Sequence, residues 1–121
     1  MTTNQQLQTI LDKLRVDVPD LRGVLVATSD GLAVAHSISS GDSNRIAAMV
    51  ATALGLGKRI CETIGGGALS ETSFSGATGQ VYVYSAGTKG VLGVLSAPGA
   101  NIGLIHLEAR EAATKIQQVL G

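Results

Sequence analysis

Aromatic side chains are nearly missing from this sequence: one Phe, two Tyr and no Trp make up 2% of its 121 residues. A core must therefore be built from Ala, Val, Leu and Ile, and a pocket walled by rings, as ligand pockets commonly are, has little to draw on. Cysteine occurs once, at Cys61, which excludes an intrachain disulfide and a four-cysteine metal site and removes any need for an oxidising compartment. Charged residues are also scarce at 15%, against ~25% in an average soluble domain, so part of the surface is expected to be covered by something else. The charges cancel to zero with no basic stripe, so nucleic-acid binding lacks its electrostatic footprint. Residues Met1 to Gln8 are polar and do not form a signal peptide. No apolar run reaches the ~18 residues a membrane span needs. The expectation is a cytoplasmic protein with no nucleic-acid partner and no direct membrane insertion.

What is present suits one α/β domain over residues 1–121, with 45% apolar residues to fill its core. Leu7, Ile10, Leu11 and Leu14 recur at helical spacing; Thr3 with Gln6 reads as a capping box, and Pro19 ends the segment. Two apolar runs, 23–28 and 32–36, flank Ser29-Asp30-Gly31, a hairpin signal because Gly accepts positive φ. A polar stretch from Ser40 to Asn44, with Asp42 or Ser43 as cap, leads into a helix from about Asn44 to Ile64. On a helical wheel its apolar arc holds Leu56, Met49, Ile60, Ala53, Ile46, Ile64, Gly57, Val50, Cys61 and Leu54. That arc covers half the circumference, where an arc of ~100° is enough to face one sheet. The remaining arc carries Thr52, Lys58, Arg59, Glu62 and Thr63 among small Ala48, Ala51 and Gly55. Gly65 to Gly67 stop the helix.

Three strands follow, Leu69–Ser75, Gln80–Ser85 and Val91–Ser96, joined by glycine-bounded turns at 76–79 and 86–90. The first of them is polar at alternate positions, which suits an edge. Asn101 caps a last helix whose core face is Ile102, Ile105, Ala109, Ala112, Ala113, Ile116, Val119 and Leu120. The predicted architecture is a layered α/β sandwich: a five-stranded antiparallel sheet with three helices, in the order α-β-β-α-β-β-β-α. The first and last helices share one face and the second takes the other.

Residues that could carry chemistry have plainer explanations. Cys61 lies on the apolar arc and reads as a buried small hydrophobe. His36 and His106 lack a carboxylate or cysteine at ligand spacing. The turn accounts for Ser29 and Asp30. Gly65 to Gly67 follow no strand and precede no Lys-Ser or Lys-Thr, so they are no phosphate loop. No acid/base pair is evident. The expectation is a protein that is not an enzyme, with no catalytic residues, no cofactor and no metal. Arg59, beside Lys58, could serve as an arginine finger for a GTPase, but a solvated basic residue is the simpler reading.

The opening helix LQTILDKL (Leu7 to Leu14), the run VPDLRGVLVATSDGLAVA (Val18 to Ala35), the long Ala-rich helix and the closing NIGLIHLEAREA (Asn101 to Ala112) resemble, in that order, the Roadblock / dynein light-chain family. The resemblance implies a homodimer, or a heterodimer with a Roadblock paralogue, joined through the second helices and the third strands. It also implies a regulatory or scaffolding role beside small Ras-like GTPases. The chain stops at its third helix, without the C-terminal extension found in regulators of the gliding type. Dimer contacts are then expected at Ile46, Met49, Val50, Ala53 and Leu56 on the helix, and at Leu69, Ser70, Thr72 and Phe74 on the strand. Partner contacts are expected at Thr52, Lys58, Arg59, Glu62 and Thr63. Two other functions remain open: a scaffold or adaptor subunit that touches no GTPase switch, and a small-molecule sensor module.

Overall fold

The structure, a computed structural model, describes residues 1–38 and 41–121. The chain runs α1 (Thr3–Asp17), β1 (Leu21–Thr28), β2 (Ala33–Ile38), α2 (Ser43–Thr63), β3 (Glu71–Gly76), β4 (Gly79–Ala86), β5 (Gly90–Ser96) and α3 (Ile102–Leu120). The order is the expected α-β-β-α-β-β-β-α.

Local chemistry explains most boundaries. The capping box of α1 sits one residue earlier than the Thr3/Gln6 pair: Thr2 accepts from the Gln5 N–H at 3.2 Å, and Gln5 accepts from the Thr2 N–H at 2.9 Å. The sequence offers Thr at both 2 and 3 and Gln at both 5 and 6, and the earlier register lengthens the helix. Asp42 caps α2 by accepting from the N–H groups of Asn44 and Arg45. Ser40, the start of the expected polar connection, lies outside the described residues. Asn101 caps α3 through the Leu104 N–H at 3.0 Å. Gly31 adopts φ +95° in the first hairpin, and a Cβ there would stand 3.2 Å from Ala48 Cα, so the turn packs directly on α2.

The five strands form one antiparallel sheet in the order β2-β1-β5-β4-β3. On one face, Leu7, Leu11 and Leu14 of α1 and Ile105, Ala109 and Ile116 of α3 pack on Val24, Val26, Tyr82, Tyr84, Leu92 and Val94. On the other, Ala47, Val50, Ala51 and Leu54 of α2 pack on Leu25, Ala27, Val83 and Val91. Continuous burial along β1 and β5 follows, because both their faces are covered. Ile102 departs from its expected place in the core. It is the first residue of α3 and stands half exposed, because helical side chains lean toward the N-terminus and carry it beyond the sheet.

Candidate functional site: the uncovered flank of α2 and the free edge of β3

The surface of α2 that meets the sheet combines two alanines, Ala47 and Ala51, with Val50 and Leu54. Ala51, expected on the solvent arc, is buried, and Val50 is only 5% exposed. The two alanines let the helix come close to the sheet, while several other bulky apolar residues are left outside. Met49 is 62% exposed, Leu56 59%, Ile60 51% and Ile64 73%. Cys61, expected to be buried, is only half-buried at the same margin. Gly57 has a separate role: a Cβ there would lie 2.5 Å from Leu69 Cδ2, so the missing side chain makes room for Leu69. Leu69 therefore docks on its own α2, ahead of a third strand that begins at Glu71 and not at Leu69.

Between the uncovered flank of α2 and the sheet lies a groove of about 320 Å³, lined by Ile46, Met49, Val50, Ala53, Phe74, Val81, Val83 and Leu95. The groove opens toward β3, the outermost strand on that side. β3 pairs with β4 without a register shift, with Thr72 opposite Val83 and Phe74 opposite Val81. Ser85 N–H donates to the Ser70 carbonyl at 2.8 Å. Antiparallel alternation from that bond turns the backbone groups of Ser70, Thr72, Phe74 and Gly76 toward β4, and those of Glu71, Ser73 and Ser75 outward. Thr72 thus spends its N–H on its own sheet. Phe74 is 53% exposed and stands beside the groove.

The expected dimer-contact residues are largely brought together: Ile46, Met49, Val50, Ala53 and Phe74 share the groove, and Leu56 extends its helical flank. The expected partner-contact residues divide. Thr52 and Arg59 line a groove with Ser29, Asp30, Ala48, Ala51, Gly55 and Leu56. Lys58 and Glu62 line another, toward the helix C-terminus, with Leu69, Gln117 and Gly121. The Thr52 and Thr63 hydroxyls donate at 2.8 Å to the Ala48 and Arg59 carbonyls of their own helix. In the turn, the Thr28 hydroxyl and a backbone N–H hold the Asp30 carboxyl below its ordinary range.

One cluster was not foreseen. Glu71, at the start of β3, accepts from Arg110 Nε and Nη2 of α3 at 3.0 and 2.7 Å on one carboxylate oxygen. Its other oxygen lies 3.1 Å from His106 Nδ1 but makes no well-aligned hydrogen bond. His106 Nδ1 is hydrogen-bonded to the Tyr84 hydroxyl at 2.8 Å, and the imidazole packs edge-on against Tyr82 and Tyr84. The group fastens β3 to α3. A sequence signal did exist, since a Tyr hydroxyl in an aliphatic core needs a partner. The sequence could not say which one.

A five-stranded antiparallel sheet with two helices on one face and one on the other, and with an uncovered helix flank beside a free strand, is a Roadblock-type α/β fold. The chain belongs to the Roadblock/LC7 domain family, which matches residues 7–96. The uncharacterized protein MJ0310 of Methanocaldococcus jannaschii is 35% identical over 98 residues, 80% of this chain and 85% of that protein. Among solved structures, gliding protein MglB of Thermus thermophilus superimposes with a TM-score of 0.88 at 17% identity, over 98% of this chain and 91% of that one. The Roadblock/LC7 domain from Streptomyces avermitilis gives 0.87 at 20% identity, over 93% and 96%. At such identities the structures speak for the fold alone. Among the described residues, no helix is long and apolar enough to cross a membrane.

Proposed function

We propose that this chain is a non-enzymatic regulator or binding partner of a small Ras-like GTPase, working in the cytoplasm as a pair of identical copies or with a Roadblock paralogue. The observation that carries this reading is the adjacency of the apolar groove to the outward edge of β3. A second copy added antiparallel across Ser73 would place its own α2 beside the first. The exposed Met49, Leu56 and Ile60 would then be covered by their counterparts, which also accounts for the sparse charge of the surface. Ile46, Val50, Ala53, Leu69, Ser70, Thr72 and Phe74 would line or flank that contact.

The pairing would cover the Leu56 side of the groove of Thr52 and Arg59 and leave its Ser29–Asp30 side open for a GTPase, with Lys58, Glu62 and Thr63 toward the end of the helix. A partner that favours one switch conformation shifts the GTPase between its states by its difference in affinity for the two. The resemblance to the Roadblock family supports a GTPase as that partner. The test titrates the chain against a small Ras-like GTPase from the same genome, loaded with GDP or with a GTP analogue. The expected outcome is unequal affinity for the two states, weakened more by Arg59→Glu than by Lys58→Glu, with the pair intact in both variants. Rim charges act mainly through association rate, so the loss should shrink as salt is raised. Equal affinity for both nucleotide states would leave a scaffold role, and no binding would remove the GTPase altogether.

A further inference from the structure

The two edges of the sheet are built differently. At β2, opposite β3, Val26 pairs with Ala35 and Ala27 with Ala33, so Val34 is an extra, bulged residue. Thr28 N–H donates to the Leu32 carbonyl at 2.8 Å. Alternation from that bond turns Ala35 and Ser37 toward β1 and leaves His36 facing outward.

Two of the outward carbonyls, those of Val34 and His36, are already occupied. Asn4 Nδ2 donates to the Val34 carbonyl at 2.7 Å, and Gln8 Nε2 donates to the His36 carbonyl at 3.2 Å. Residues four apart on a helix rise ~6 Å, and residues two apart on a strand advance ~6.8 Å. Asn4 and Gln8 are therefore nearly in step with the carbonyls of the strand edge. Farther along α1, Arg15 donates to the Ser37 carbonyl and hydroxyl at 3.1 Å each and to the Leu21 carbonyl at 3.2 Å, which fastens α1 to β1 and β2 without capping the outward edge. Through Asn4 and Gln8, α1 thus caps part of the outward edge of β2. Among the described residues, no side chain donates to a β3 carbonyl, and its register is unbroken.

We propose that Asn4 and Gln8 terminate the sheet at β2, so that self-association runs through β3 and stops at two copies. The proposal rests on the reading of β3 as the associating edge. A pair joined through β3 carries one β2 at each end of its continuous sheet. Two open ends would allow strand addition to continue, the hazard any unprotected edge presents. The carbonyl caps and the bulge at Val34 close both ends.

The test compares Asn4→Ala/Gln8→Ala with the wild-type chain by sedimentation velocity over a wide concentration range, with amide hydrogen exchange followed over 33–38. Leu7, Leu11 and Leu14 are untouched, so α1 stays docked, which circular dichroism checks. The expected result is at least a doubling of mass over wild type that grows with concentration, together with faster exchange in β2 at dilute concentration. Adding Ser73→Pro should cut the growing species back to pairs. The single variants, each keeping one cap, should show smaller increases, and they carry the comparison if the double variant is unstable. A folded double variant that sediments like wild type at every concentration overturns the proposal. A wild-type chain that sediments as one copy would sink the β3 reading instead. The β2 question would still be decided by whether the double variant then pairs where wild type does not.

Discussion

The Tyr84 side chain shows how one hydroxyl is accommodated in a core of aliphatic residues. It is almost fully buried, and its hydroxyl is hydrogen-bonded to His106. Burial pushes the phenol well above its ordinary value, the Glu71 carboxylate adds to that shift, and Arg110 opposes part of it. Folding therefore favours the protonated phenol. Below the unfolded value of ~10 both states hold the proton, and stability from this group is fully present. Above it the unfolded chain releases the proton while the folded chain keeps it, so stability falls as pH rises, by at most ~1.4 kcal/mol per pH unit. Thermal melts from pH 8 to 11 should show this decline in wild type and a shallower one in Tyr84→Phe. The variant should also be less stable at neutral pH, by about 1 kcal/mol, because His106 Nδ1 loses its partner. Parallel pH profiles for the two proteins would show that Tyr84 carries no such linkage.

At the scale of elements, the backbone direction of β3 selects the substitution that tests pairing. Proline at Thr72 would break a bond to Val83 within the same sheet and confuse folding with association. Proline at Ser73 removes an N–H that faces outward and leaves the ladder to β4 in place. The expectation for Ser73→Pro is a one-copy species at micromolar concentration with unchanged circular dichroism. A full-strength pair would mean that the helices alone hold the copies together. The elements themselves were legible in the sequence because each announced its own period or turn: Leu7 to Leu14 at helical spacing, Asp30-Gly31 between apolar runs, Gly-bounded hairpins, Asn101 before the last helix. The face of α2 was less so. The helical wheel ranks positions by hydrophobicity, and an apolar arc of half the circumference does not single out the part that meets the sheet. That part holds Ala47, Val50, Ala51 and Leu54 and leaves Met49 and Leu56 outside. Nor could the wheel reveal the Glu71–Arg110 contact, whose partners are 39 residues apart and meet only when β3 packs beside α3. The inward turn of Thr72 likewise depends on register, which the composition of a strand does not encode.

For the whole molecule, pairing and stability should be coupled. An apolar flank that becomes buried only in the pair stabilises the folded state by mass action, so the melting temperature should rise with chain concentration. If two folded copies unfold to two separate chains, each tenfold rise in concentration should raise it by about 2–4 °C for a domain of this size. Leu56→Glu offers a clean contrast. Leu56 is 59% exposed in the single chain, and Glu is nearly as good a helix former as Leu, so the substitution should cost a lone domain no more than about 0.5 kcal/mol. In the pair it would place a carboxylate against the apolar flank of the neighbouring helix, where a buried charge without a partner costs far more. The variant should therefore melt at a temperature that does not depend on concentration, close to the dilute limit of wild type. Light scattering should report the 12.3 kDa mass of one chain. A concentration-dependent melt in folded Leu56→Glu would place the association surface away from this flank. The groove beside β3 would then have to be matched to a different occupant.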